Sequence, residues 1–185
     1  LETQRDLFKR VYETVERGDC SPVEDLSASE RNQLDKYDLW PDLRATWKRA
    51  KLKTASHPDI ESFLARNATL QPPRELHYRY ALHLARGGDL DGFRAIYEQF
   101  YQGRGIARLD CLALQAEIDA GRHNRVPGRA IDLWLIGTSQ VEECDLVFDY
   151  LADNNLLGAV ENRKRFELAI EAREFRLARW LGKSI

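Results

Sequence analysis

Cysteine and histidine offer the most reactive side chains in this sequence, and their spacing limits what they can do. Cys20, Cys111 and Cys144 are separated by 91 and 33 residues, with no Cys or His partner at metal-ligand spacing, so no metal site is expected. Two readings of the thiols stay open on spacing alone. Either all three are reduced, buried small hydrophobes, or antiparallel packing of the helices that carry Cys111 and Cys144 lets them bridge. His57, His77, His83 and His123 complete the set, and His77 and His83, six apart, fall on different faces of a helix. They read as ordinary surface or core histidines. No serine sits in a nucleophile elbow beside a histidine and an acid. Gly103-Arg104-Gly105 lacks the length and the following Lys-Ser/Thr of a phosphate loop, and nothing else calls for a cofactor.

Charged clusters are the next candidates. Glu142-Glu143, and Glu117 with Asp119, are paired acids of the kind that usually form solvated helix faces. Lys48-Arg49-Ala50-Lys51-Leu52-Lys53, beside Trp47, and Arg163-Lys164-Arg165, beside Phe166, raise the question of a nucleic-acid footprint. Glu161, Glu167, Glu171 and Glu174 interleave the second cluster and cancel its field, so it reads as a salt-bridged helix face. The whole chain agrees: 28 Lys and Arg against 30 Asp and Glu give a net charge of −2, which disfavours a dedicated nucleic-acid binder.

The elements that must position these residues are helical. Among 185 residues, 25 leucines and 19 alanines stand against 7 valines, 8 isoleucines and 6 threonines. Ala and straight-chain residues lose little freedom in a helix, whereas β-branched residues lose more. The 31% charged and 43% hydrophobic content is that of a globular chain, and no apolar run approaches a membrane span. Glycines at 18, 87, 88, 121, 137 and 182 punctuate the periodic segments as helix stops. Between them helices are expected near 3–17, 41–52, 58–66, 73–86, 89–101, 106–120, 127–136, 141–153 and 157–181, with short pieces between 22 and 36. Phe93, Ile96, Tyr97 and Phe100 form one apolar stripe; Leu7, Val11 and Val15 form another. Pro58 and Pro73 suit first-turn positions.

Short helices joined by tight turns must pack antiparallel to their neighbours. From Gly87 to Gly121 is 34 residues, the length of a tetratricopeptide repeat, but the next stop does not keep the period. The expected architecture is all-α: an irregular α-solenoid or superhelix, degenerate tetratricopeptide-like, forming a single domain over residues 1–185. The chain contains no methionine, even at position 1, and is expected to be a piece of a longer processed protein.

Particular stretches resemble a known family. Leu133-Trp134-Leu135-Ile136-Gly137-Thr138-Ser139-Gln140, followed by Cys144-Asp145 and Phe148, is similar to a Leu-Trp-x-x-Gly-x-Ser-Gln-Pro segment with a following Cys-Asp and aromatic. That segment marks the N-terminal α-superhelical region of the soluble lytic murein transglycosylases. Val141 stands where the family has proline, a departure expected to loosen the turn. Tyr37-Asp38-Leu39-Trp40-Pro41-Asp42-Leu43 resembles a Tyr-Pro-Leu-Tyr-Pro-Tyr-Leu segment, with three positions different. Phe63 to Pro73, with Arg74 and Leu76, resembles an Asn-Pro-x-Leu-Pro stretch that opens a helix. Arg165, Leu168, Ala169 and Ala172 continue the pattern more weakly, so the similarity runs from about residue 5 to 182.

The resemblance implies export to the periplasm and a Cys111–Cys144 disulfide clamping neighbouring helices, with Cys20 left as a free thiol. In the family a C-terminal lysozyme-like domain cleaves between N-acetylmuramic acid and N-acetylglucosamine. A glutamic acid of raised pKa protonates the leaving oxygen, and the muramic 6-hydroxyl attacks to give a 1,6-anhydro product. That glutamate belongs to a Glu-Ser motif followed by Gly-Leu-Met-Gln. A chain without Met has no such segment, and Glu61-Ser62 lies in the matched superhelical part. No catalytic residue is therefore expected in this chain, whose role would be that of a non-catalytic scaffold. Its partner would be the peptidoglycan glycan strand, met by Arg, Trp and Tyr of a concave face. The rival reading is a stand-alone α-repeat adaptor that binds a peptide; an RNA-binding helical repeat is weaker.

Overall fold

The computed structural model describes residues 3–67, 70–183 and 185, without the side chains of Gln71 and Pro72. Every regular element among them is helical: α1 (Gln4–Glu16), α2 (Ser21–Glu24), α3 (Ala28–Leu34), α4 (Trp40–Ala50), α5 (His57–Arg66), α6 (Gln71–Gly87), α7 (Leu90–Ile96), α8 (Ala107–Asp119), α9 (Pro127–Trp134), α10 (Asp145–Asp153), α11 (Ala159–Glu171) and α12 (Phe175–Leu181). The expected all-α class is the observed one. The stretch from Phe63 to Pro73 that resembles a helix-opening motif is described only in part, because Ala68 and Thr69 lie outside the described residues.

Local chemistry explains where the helices begin. Thr3, Ser27 and Asp89 each accept a hydrogen bond from the backbone N–H three residues on, and Ser27 with Glu30 closes a reciprocal capping box. Proline occupies the first turn of α2, α4, α5 and α9, where its missing N–H costs nothing.

Two expected helices are broken. The segment expected at 89–101 is α-helical only to Ile96 and continues as a π turn over Tyr97–Tyr101, closed by Gln102 N–H to the Tyr97 carbonyl at 2.8 Å. The segment expected at 157–181 divides into α11 and α12. Arg173 there takes φ of 60°, and Glu174 N–H reaches back to the Ala169 carbonyl at 2.8 Å. The left-handed residue reverses the chain, as glycine does at other stops.

The helices sort into two compact units, residues 1–87 and 88–185. In the first, α1 packs on α2, α3 and α4, and α6 packs on α4 and α5. Leu7, Val11 and Val15 meet Val23, Leu34 and Leu43, all essentially inaccessible. In the second, α8 lies against α7, α9 and α10, and α11 pairs with α12. Its core gathers Leu114, Val126, Trp134, Val147, Leu151 and Leu181.

Candidate functional site

The segment most distinctive in sequence builds a junction of α8, α9, α10 and α11 inside the second unit. Helix α9 ends at Trp134, and the chain turns sharply: Leu135 (φ −79°, ψ 56°) lets Ile136 N–H reach the Trp134 carbonyl at 2.8 Å. That is an inverse γ-turn. The Gln140 side-chain amide donates to the Leu133 carbonyl at 3.1 Å, satisfying an acceptor that the helix end leaves open. Gly137 then passes against α11 so closely that a Cβ would sit 2.4 Å from the Leu168 carbonyl oxygen. Only glycine permits that approach.

Trp134 is the hub of this junction. Its ring meets Phe148 edge-on at 5.0 Å and Trp180 at 6.2 Å. The Arg165 guanidinium carbon lies 3.9 Å above it and 5.5 Å from the Phe148 ring centroid. Arg165 is 3% exposed, and its Nη2 donates a long 3.4 Å bond to the Thr138 carbonyl. Desolvation lowers its pKa to about 10, because burial penalises the cation. This corrects the reading of Arg163-Lys164-Arg165 as one solvated face: Arg163 and Lys164 are exposed, whereas Arg165 is a core cation held over aromatic faces.

Cys111 of α8 and Cys144, at the start of α10, are joined by a disulfide with Cα atoms 5.0 Å apart, both fully buried. Cys20 is unpaired and half-buried, and burial raises its pKa. Val141 has φ of −68° and ψ of 152°, within the range a proline ring would impose. Val141 thus holds the backbone φ that a proline ring would impose at this position.

Elsewhere the charges pair off. Lys48 is 7% exposed and bonded to Asp59, Lys51 is bonded to Glu24, and Arg49 meets Glu75 at 2.8 Å. Three of the four cations of the first basic cluster are therefore engaged with acids, and Lys53 is exposed. Glu61 accepts a hydrogen bond from Tyr80 at 3.0 Å. His57 lies edge-on to Tyr80 and to His83, and His123 stacks on Tyr150 at 5.6 Å. His77 is half-buried, which lowers its pKa. Among the described residues no group of His, Cys, Asp or Glu could hold a metal ion.

Two polar constellations escaped the sequence reading. Glu117 is not on a solvated face but 6% exposed, gripped by Arg122 through Nε at 2.7 Å and Nη2 at 3.1 Å, with Arg125 3.9 Å away. The Arg122 hydrogen bonds hold its carboxyl below the ordinary glutamate range. Nearby, the buried Tyr97 hydroxyl donates to Asp110 at 2.6 Å and accepts from Arg129 Nη2 at 2.7 Å. Desolvation and the Asp110 carboxylate both push the phenol pKa up. Of these groups Tyr97, Glu117, Arg125 and Arg129 border a cleft of about 390 Å³ in the second unit. Arg122 and Arg125 following Glu117 were the visible signal for the first; nothing in the sequence pointed to the second.

By fold and site the chain is an array of short helices whose distinctive motif is a packing junction, with no nucleophile or metal centre assembled at it among the described residues. Its similarities agree with that description. No protein-family model matches the chain. It is 26% identical over 172 residues to a soluble lytic murein transglycosylase of Salmonella typhimurium and 25% identical to that of Escherichia coli. Both alignments cover 93% of this chain and 26% of the relative, so the chain spans about a quarter of their length. Among solved structures, an inactive variant of the lytic transglycosylase Slt from Pseudomonas aeruginosa superposes with a TM-score of 0.82 at 29% identity, over 96% of this chain and 28% of that one. The 70-kDa soluble lytic transglycosylase bound to bulgecin A gives 0.79 over 98% of this chain and 28% of that one; at 24% identity it supports the fold alone. The chain is similar to one stretch of the soluble lytic murein transglycosylases and shares their α-superhelical fold.

Proposed function

We propose that this chain is a non-catalytic helical scaffold segment of a periplasmic lytic transglycosylase. Its parent would cleave N-acetylmuramic acid–N-acetylglucosamine bonds of peptidoglycan with a 1,6-anhydro product. The observation that carries the reading is the similarity in both sequence and fold along nearly the whole chain, at 29% identity and a TM-score of 0.82. The disulfide supports export, since such bonds persist in oxidising compartments. The chain would be one segment of a longer enzyme, and peptidoglycan strands its partner through that enzyme.

Incubating the full product of the source gene with purified peptidoglycan tests this. Mass spectrometry is expected to find anhydro-muropeptides with the full product and none with the 185-residue chain alone. Failure of the full product to release them sinks the enzyme assignment, and release by the 185 residues alone sinks the scaffold role. A full product retained in the cytoplasm with Cys111 and Cys144 reduced favours the peptide-binding adaptor instead.

A further inference from the structure

In the cleft of the second unit two guanidinium groups, those of Arg125 and Arg129, are not gripped by a carboxylate at hydrogen-bond distance among the described residues. The floor of the cleft is formed by Ala113 and Ala116 of α8, whose small side chains leave the space open. Arg125 and Arg129 line it, as do Glu98 of the π turn and Gln102 just after it. The π turn adds a residue to the helical ladder, and such insertions recur at functional sites.

The local ion pairs are unequal. Glu117 is spent on the two-pronged grip of Arg122, so Arg125, 61% exposed, touches it only at 3.9 Å. Arg94 is occupied by Asp91 at 3.2 Å and by Glu98 at 4.0 Å. Arg129 is oriented differently. Its Nη2 is fixed by the Tyr97 hydroxyl and its guanidinium carbon lies 5.7 Å from the Tyr97 ring centroid, so the partner that positions it is neutral. The Tyr97 hydroxyl is itself committed to Asp110. A cation whose direct partner is a neutral hydroxyl keeps its remaining donors for a ligand.

We propose that this cleft binds the carboxylate end of a peptide, with Arg125 and Arg129 on the carboxylate and Glu98 and Gln102 on the amide N–H groups behind it. A cavity of about 390 Å³ suits a ligand of that size. The acids choose the anion. A phosphate dianion would face both Glu98 and Glu117 on the cleft wall, whereas a carboxylate carries one charge and brings donors that Glu98 accepts. A free amino acid offers the same head group without the amide N–H. The site lies wholly in the second unit and does not rest on the scaffold reading.

Isothermal calorimetry on the 185-residue chain with N-acetyl-dialanine, its C-terminal amide, alanine and inorganic phosphate tests the proposal. Saturable binding of the free acid is expected, weakened about tenfold or more in the amide, as loss of a charge-assisted contact implies. Alanine is expected to bind more weakly than the peptide acid. Arg129→Ala should abolish binding, Arg129→Lys should retain part of it, and the exposed Arg125→Ala should weaken it about tenfold while leaving the circular dichroism spectrum unchanged. No saturation with the free acid at millimolar concentration overturns the assignment. So does equal affinity for acid and amide, tighter binding of phosphate or alanine than of the peptide acid, or full affinity in Arg125→Ala together with Arg129→Lys.

Discussion

Gly137→Ala is the smallest change that questions the junction around Trp134. The added Cβ would stand 2.4 Å from the Leu168 carbonyl oxygen, 2.9 Å from its carbon and 3.0 Å from the Ala172 Cβ. An ordinary carbon–oxygen contact is about 3.3 Å or more, so the shortfall is close to about 1 Å. The carbonyl cannot swing aside freely, because it accepts the Ala172 N–H at 2.9 Å. Relief therefore requires α11 to retreat from the turn, which thins the packing of Arg165 on Trp134; a gap of roughly 0.5–1 Å forfeits roughly a quarter to a half of each dispersion contact. Overpacking of this kind costs about 1–3 kcal/mol. Gly137 does not lie in the left-handed region, so alanine also restricts the unfolded chain, an opposing gain of about 0.4–1 kcal/mol. The net expectation is a loss of about 1–2 kcal/mol. Gly128→Ala is the internal control, being an exposed residue of α9 whose added Cβ meets nothing within 4 Å. It should gain roughly 0.5 kcal/mol. Urea titrations of both variants, followed by circular dichroism and tryptophan fluorescence, measure the difference. If Gly137→Ala matches or exceeds the parent chain, the close approach of the turn to α11 is refuted.

Three further perturbations address the same unit. Reducing the Cys111–Cys144 bond frees a loop of 33 residues, which the chain-entropy relation values at about 3–4 kcal/mol; coincident urea midpoints with and without reductant would contradict it. Arg165→Met removes a buried cation whose Nε has no hydrogen-bond partner among the described residues, exchanging about 2 kcal/mol of cation–π attraction for relief of a comparable or larger desolvation penalty. Its melting temperature should be equal to or above the parent's, and a marked drop would show that the cation is needed. Glu117→Gln should lose about 1.5–3 kcal/mol near neutrality, the value of hydrogen bonds to a charged group. Because the folded carboxyl sits below the ordinary range, its contribution is complete above the unfolded pKa of about 4.3 and fades as pH falls through the lower folded value. The stability gap between parent and Glu117→Gln should therefore close in acid, and a gap that is constant with pH would refute the ion pair.

Much of this protein is determined locally and was legible in the sequence. The excess of Leu and Ala, the stops, and prolines and capping residues at helix starts dictate short helices, because each acts through its own backbone within a turn or two. The glycine at 137 and the Gln140 that follows could be recognised as a motif, but not what they touch. Their partners, the Leu168 carbonyl and the Leu133 carbonyl, are supplied by packing and by the turn itself. Tertiary structure alone decided which charges are buried. Arg165 and Glu117 sit among other charged residues in sequence and look solvated, yet one lies over Trp134 and the other in the grip of Arg122. The π turn that places Tyr97 between Asp110 and Arg129 is equally invisible, since its apolar stripe reads as ordinary helix. Helix formation depends on near neighbours, whereas burial of a charge depends on which distant helices close over it, and periodicity along one chain carries no record of that.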